Sequence, residues 1–269
     1  MIPFADEGPL QSLDLYNKGI GKVPKAIWRH SELEWLNLAD NGLRSISGEI
    51  GDLVNLTMLD LGHNSLTSLP DSLGYLTRLK FLYLSNNRLR SVPVSLWSLK
   101  SIVYLNITDN RLSSLPDAIG NLSRLLELRL YNNLLETLPE SIGQLSSLRE
   151  LHLMRNRLTS LPQSIGKLKN LRKLILEGNR IESLPDSLGS LKSLTDLDLR
   201  NNRLKQVAGS IGKLKSLRFL DLRANQLTAL PASMVKLENL EKLDLRWNMS
   251  LAVPKWIQKL EERGCIVYF

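Results

Sequence analysis

Residues 148–170 read LRELHLMRNRLTSLPQSIGKLKN, and residues 171–193 read LRKLILEGNRIESLPDSLGSLKS. The two segments align without a gap and place Leu or Ile, Asn, Pro and Gly at matching positions. Outward from this pair, the asparagine recurs every 23 residues, at Asn41, Asn64, Asn87, Asn110, Asn133, Asn156, Asn179, Asn202, Asn225 and Asn248. A fixed period of this length indicates an array in which each copy stacks on its neighbours.

Each repeat contains two kinds of backbone. The pair Leu151 and Leu153 has period two, which predicts a short strand, whereas the apolar residues after Asn156 do not alternate. Pro162 lacks a backbone donor and Gly166 follows it, so the return segment should be irregular or a short helical turn. The pattern predicts an α/β solenoid with a parallel β-sheet on its concave face and irregular or short helical segments on its convex face.

The repeated asparagine has a structural explanation. Where the chain turns away from the strand, buried backbone groups need partners, and a short amide can both donate and accept hydrogen bonds. We therefore expect a ladder of asparagines that supports the fold, and we assign these residues no functional site.

The composition predicts a packed core and argues against stabilisation by disulfide bonds or bound metal. Of 269 residues, 43% are hydrophobic, which predicts a packed core, and the net charge is +8. With Cys265 as the single cysteine and three histidines, no internal disulfide is possible, and no metal or cofactor site is expected. The N-terminus has no basic leader and no window resembles a membrane span, so we expect a cytoplasmic protein.

The array predicts one domain over residues 1–269. Residues 1–32 should form an N-terminal end with an incomplete repeat, residues 33–253 ten regular repeats, and residues 254–269 a cap made of a helix and a strand. Counting 23 residues onward from Leu243 and Leu245 predicts that Ile266 and Tyr268 point inward and shield the last edge of the core.

The pattern L-x-x-L-x-L-x-x-N-x-L-x-x-L-P-x-x-I-G-x-L resembles the leucine-rich repeat family over nearly the whole chain. Its 23-residue form with L-P-x-x-I-G is similar to the intracellular branch that contains the Ras-binding scaffolds and the plant Ras-group-related proteins. The resemblance implies a curved horseshoe and a role in binding a partner protein, for which a small GTPase or a phosphatase subunit is plausible.

The sequence contains no phosphate-binding loop and no nucleophile elbow, so no enzyme is expected. If the strand leucines face the core, the alternate residues face the concave side. An apolar cluster then falls on successive strands, followed by a mixed aromatic and basic zone. The predicted partner-binding residues are Trp35, Met58, Phe81, Tyr83, Tyr104, Arg129, Tyr131, His152 and Met154.

Two interpretations of the cluster remain open at this point. Large aromatic side chains and Met are typical of interface cores, but flanking loops could cover these residues, or they could pack side by side. Farther along, each of Asp198, Asp221 and Asp244 precedes an arginine by two residues, which favours a self-neutralising surface over recognition of a charged partner.

A second class of function is electrostatic binding of nucleic acid or an anionic membrane. The concave positions carry 11 basic and 12 acidic residues, so the charge excess lies on the rim and the convex side. A diffuse basic surface of this kind is usually solvated. Protein binding on the concave face, as a scaffold or adaptor in intracellular signalling, is the favoured interpretation.

Overall fold

The computed structural model describes residues 10–269, so the first nine residues of the predicted N-terminal segment lie outside the described part. The chain groups into two compact units, Met1–Arg111 (unit 1) and Leu112–Phe269 (unit 2), and each is described by itself. The extent of a single domain over residues 1–269 stays a prediction.

The strands are three residues long and parallel to their neighbours. Unit 1 contains β1 (Ser12–Asp14), β2 (Trp35–Asn37), β3 (Met58–Asp60), β4 (Phe81–Tyr83) and β5 (Tyr104–Asn106). Unit 2 contains β6 (Glu127–Arg129), β7 (Glu150–His152), β8 (Lys173–Ile175), β9 (Asp196–Asp198), β10 (Phe219–Asp221), β11 (Lys242–Asp244) and β12 (Ile266–Tyr268). In each of β2–β11 the central leucine is at most 1% exposed, which leaves its two neighbours on the opposite face of the sheet.

The return segments are 3₁₀ turns, as the Pro and Gly spacing predicts. In unit 1 they are Lys25–Arg29, Gly48–Asp52, Asp71–Tyr75 and Val94–Ser98. In unit 2 they are Asp117–Asn121, Glu140–Gln144, Gln163–Lys167, Asp186–Ser190, Gly209–Lys213, Ala232–Lys236 and Lys255–Ile257, and one short helix, α1, spans Gln258–Glu261. The turns of successive repeats stack so closely that a Cβ at Gly166 would overlap the Ser187 carbonyl oxygen of the next repeat.

The asparagine ladder forms as predicted. The Asn87 side-chain amide donates to the carbonyl oxygens of Leu61 at 2.9 Å and Leu84 at 3.1 Å, while its oxygen accepts from the Leu66 N–H at 3.0 Å. One side chain thus satisfies backbone groups of two successive repeats, which are buried from water.

The residue before the ladder asparagine has a left-handed backbone in both units. Its φ is +56° at Asp40, +52° at Asn86 and +49° at Ala224, for example. Asn and Asp tolerate this region, whereas the Cβ of Ala224 is strained there.

The C-terminal end corrects one prediction. Strand β12 pairs with β11 so that Val267 lies opposite Leu243, which is an offset of 24 residues and not 23. Ile266 is therefore 57% exposed and Tyr268 38% exposed, and the prediction that both point inward is wrong. The extra residue is accommodated before the strand, where Gly264 adopts a φ of +89°.

Cys265 lies beside this strand and is buried, as expected for a small packed residue. Burial raises the pKa of its thiol to about 11, so the thiolate is scarce at neutral pH.

Candidate functional site

The unit 1 face is the surface formed by Trp35, Met58, Phe81, Tyr83 and Tyr104. Strand register places Trp35 beside Met58, Met58 beside Phe81, and Phe81 beside Tyr104. Parallel strands are about 4.8 Å apart, so neighbouring side chains in this row are in contact range. The sheet thus brings together the five residues that the sequence predicted for this half of the chain.

The cluster packs side by side, and part of it is exposed in the described part of the chain. The rings of Tyr83 and Tyr104 lie with their centroids 5.0 Å apart, a distance typical of stabilising aromatic pairs. Phe81 remains 39% exposed, and the other four side chains are half-buried. The packing therefore fixes the positions of the aromatic groups and leaves apolar surface available to a partner.

Asp60 belongs to this surface and was not among the predicted residues. It ends β3, lies in register beside Tyr83, and its Oδ1 accepts a hydrogen bond from the Gly62 N–H at 2.7 Å. Burial raises the pKa of the Asp60 carboxyl, while the Gly62 hydrogen bond and the charge of His63 oppose that rise. The sequence signal was available, because Gly62 occupies the position that holds arginine after three aspartates of unit 2.

In unit 2, the predicted mixed zone is an ionic network. Arg129 pairs with Glu127, His152 Nε2 lies 3.1 Å from Glu150 Oε2 and 3.8 Å from Glu127 Oε1, and Lys173 Nζ lies 3.1 Å from Glu150 Oε1. Burial acts to raise the pKa of Glu150, but hydrogen bonds from Lys173 and His152 outweigh it, so the pKa is lowered. The predicted residues Tyr131 and Met154 are half-buried just after the strands.

Glu127, Glu150 and His152 are also the group of three potential metal ligands found among residues 10–269, with donor atoms within 4.8 Å of one another. Arg129 and Lys173 already pair with both carboxylates. The arrangement acts as a charge-balanced network on the sheet face.

The aspartates and arginines near the end of unit 2 pair as the sequence predicts. Arg223 donates to Asp221, and Arg246 donates to Asp244 with Nη2–Oδ2 at 2.6 Å. Arg200 Nε lies 3.2 Å from Asp198 Oδ2. Burial raises the pKa of Asp198 to about 6, despite the opposing hydrogen bond and charge of Arg200.

Several lysines of the convex segments bind backbone carbonyl groups. Lys169 Nζ donates to the carbonyl oxygens of Gly166 at 2.7 Å and Ser190 at 3.2 Å, and Lys215 Nζ donates to that of Lys236 at 2.8 Å. These ammonium groups pair with carbonyl oxygens near the ends of the 3₁₀ turns. Part of the excess positive charge therefore stabilises the fold.

Among the described residues, no helix has the length and apolarity needed to cross a bilayer.

Comparison with known proteins identifies the repeat. The description "Leucine rich repeat" matches residues 8–66, 54–112, 100–158 and 146–204, and "Leucine-rich repeat region" matches residues 188–262. Comparison with curated proteins gives no match.

Solved structures of this fold are similar to the chain. A TDR receptor is 32% identical with a TM-score of 0.85, and the match covers 96% of this chain and 46% of the receptor. The plant peptide hormone receptor RGFR1, in complex with RGF2, is 30% identical with a TM-score of 0.77 over 92% of this chain and 45% of that one. InlJ from Listeria monocytogenes is 26% identical with a TM-score of 0.75 over 90% and 52%.

The chain spans about half the length of each of these proteins. The family matches extend over more than half of the sequence and agree with the parallel strands, 3₁₀ turns and asparagine ladder of both units. The chain belongs to the leucine-rich repeat family.

Proposed function

We propose that the chain is a non-catalytic scaffold or adaptor of intracellular signalling, located in the cytoplasm, and that it binds a partner protein on the unit 1 face. Leucine-rich repeats generally mediate protein–protein interaction and are non-catalytic modules.

The observation that carries the proposal is the row of large apolar side chains at the outward strand positions of unit 1. The fold requires only the leucines of each strand to be apolar, yet Trp35, Met58, Phe81 and Tyr104 occupy the outward positions of four successive strands. Contiguous apolar patches on a soluble surface indicate an interaction site, and rigid aromatic residues contribute most to such sites.

One solved structure and the repeat pattern support a protein or peptide as the ligand. The plant peptide hormone receptor RGFR1 was solved in complex with RGF2. The L-P-x-x-I-G repeats resemble those of Ras-binding scaffolds, which makes a small GTPase or a phosphatase subunit the first partners to assay.

The test compares two phenylalanines that occupy the same strand position. Phe81 begins β4 in unit 1 and is 39% exposed, and Phe219 begins β10 in unit 2 and is 37% exposed. A displayed library of random peptides is selected on the intact chain, and the selected peptides are measured against Phe81→Ala and Phe219→Ala.

We expect Phe81→Ala to weaken the selected peptides at least about tenfold, because truncation of a central aromatic anchor costs about 2 kcal/mol or more. Phe219→Ala should bind them like the wild type. Loss of binding in Phe219→Ala alone would move the site to unit 2. Binding that ignores both substitutions but collapses at moderate salt would support the electrostatic class of function instead.

A further inference from the structure

The pair Asp60 and Tyr83 on the unit 1 face has a carboxylate and an aromatic ring on neighbouring strands. The carboxylate is half-buried and oriented by the N–H of Gly62. The charged groups that influence Asp60 are His63, which favours the ionised form, and Asp14, which disfavours it. Among the described residues, no Lys or Arg forms an ion pair with Asp60.

Unit 2 contains the same pair with a cation bound to it. Asp244 ends β11 and lies in register beside Tyr268 on β12, as Asp60 lies beside Tyr83. Arg246 donates from Nε to Asp244 Oδ1 at 2.9 Å and from Nη2 to Oδ2 at 2.6 Å. The Arg246 guanidinium carbon also lies 5.0 Å from the centroid of the Tyr268 ring.

A hydrogen-bonded guanidinium outweighs burial at Asp244, whereas burial prevails at Asp198, where Arg200 Nε lies 3.2 Å away without a hydrogen bond. Burial acts to raise the pKa of Asp244, but the hydrogen bonds and charge of Arg246 outweigh burial and lower it. At Asp60, where no arginine is present, burial prevails and the pKa is raised. A buried carboxylate has already lost much of its hydration when the chain folds. It therefore gains more free energy from an ion pair than a solvated carboxylate, which would first have to lose its water.

The difference between the two places lies in the second residue after the aspartate. Arg200, Arg223 and Arg246 hold that position in unit 2. The Arg223 and Arg246 side chains donate to the aspartate of their own repeat, whereas Arg200 donates to Glu177. Gly62 holds it in unit 1, and a Cβ at Gly62 would stand 3.0 Å from Asp60 Oδ1. Gly62 supplies no cation to Asp60, so a cation that pairs with this carboxylate has to come from outside the repeat.

We propose that Asp60 and Tyr83 bind the guanidinium group of an arginine side chain of the partner, beside apolar contacts on Met58 and Phe81. Arginine fits this site because its planar fork can bind both carboxylate oxygens and stack on an aromatic ring, as Arg246 does. The inference rests on the proposed function and adds the chemistry of the ligand that the unit 1 face selects.

The experiment uses the peptides that the intact chain selects from the random library and that lose binding in Phe81→Ala. We expect an arginine fixed at one position of these peptides. Replacement of that arginine by glutamine should weaken binding to the wild type at least about tenfold, as the loss of a charged hydrogen-bonded pair does. The Asp60→Asn variant should bind both peptides equally.

Two further variants test whether the preference for arginine depends on the Asp60 carboxylate. Asp14→Asn is the matched control, because Asp14 is also the last residue of its strand but lies beside Asn37 and not beside a tyrosine. It should retain the full preference for the arginine peptide. Gly62→Arg should remove that preference by supplying the guanidinium from the chain itself.

The outcomes separate this inference from the proposed function. Peptides that depend on Phe81 but contain no basic residue, or that fix a lysine in its place, would overturn the arginine site and leave the unit 1 face as a binding surface. An arginine dependence that persists unchanged in Asp60→Asn would also overturn it. If no selected peptide depends on Phe81, the proposed function fails and the inference fails with it.

Discussion

The asparagine ladder gives the sharpest prediction about stability, and Asn179 in unit 2 is the place to test it. Its side-chain amide donates to the carbonyl oxygens of Leu153 and Leu176, both at 2.9 Å. Its oxygen accepts from the Leu158 N–H at 3.0 Å. Asn179 is 7% exposed, so water reaches these groups poorly.

The Asn179→Ala substitution removes the acceptor of the Leu158 N–H. The Leu153 and Leu176 carbonyl oxygens each keep a second donor, because Asn156 and Asn202 also donate to them. A buried polar group without a partner costs about 1–3 kcal/mol, so we expect a loss of about 2 kcal/mol in the free energy of unfolding.

Urea unfolding followed by far-ultraviolet circular dichroism measures this loss. Asn170→Ala is the matched control, because the exposed amide of Asn170 donates to the Ser146 carbonyl oxygen at 2.8 Å. The control should change the free energy of unfolding by less than about 0.5 kcal/mol. Asn179→Asp retains an acceptor for the Leu158 N–H but loses the donors, so its stability should lie between those of Asn179→Ala and the wild type.

Equal stabilities of Asn179→Ala and Asn170→Ala would refute the reasoning, because the buried amide would then contribute no more than an exposed one. Wild-type stability of Asn179→Asp would show that the donated hydrogen bonds carry none of the effect.

Two other predictions concern single side chains. Because the pKa of Asp198 is about 6 in the folded chain, its carboxyl carbon should titrate near pH 6 by nuclear magnetic resonance. The folded state holds this proton more tightly than the unfolded state, so the contribution of Asp198 to stability should fall as the pH rises from about 4 to 6, and Asp198→Asn should remove that slope. A midpoint near 4 would contradict the burial effect. Ala224→Gly should raise the melting temperature by about 1–3 °C, because relief of about 1–2 kcal/mol of left-handed strain exceeds the entropic cost of glycine, about 0.4–1 kcal/mol. Ala232→Gly, at a turn position without positive φ, should lower it.

The sequence determines the repeat and the two faces of its strands. Leu151 and Leu153 are two residues apart, and an apolar pair with this spacing returns every 23 residues, so one local pattern predicts the core face of all regular strands. The ladder role of asparagine also follows from the sequence, since a turn buried between stacked repeats must satisfy its backbone groups. The aromatic row was predictable for the same reason, because strict register converts sequence positions into columns.

The tertiary structure decided the features that neither the 23-residue spacing nor the residue types could predict. One extra residue before β12 reverses the inward and outward positions of Ile266, Val267 and Tyr268, and only strand pairing shows where that residue is absorbed. Likewise, the sequence shows an aspartate at position 60, but not its burial, nor that no Lys or Arg within residues 10–269 forms an ion pair with it. Those properties depend on the side chains that neighbouring strands place around the carboxylate, and a linear pattern does not contain those distances.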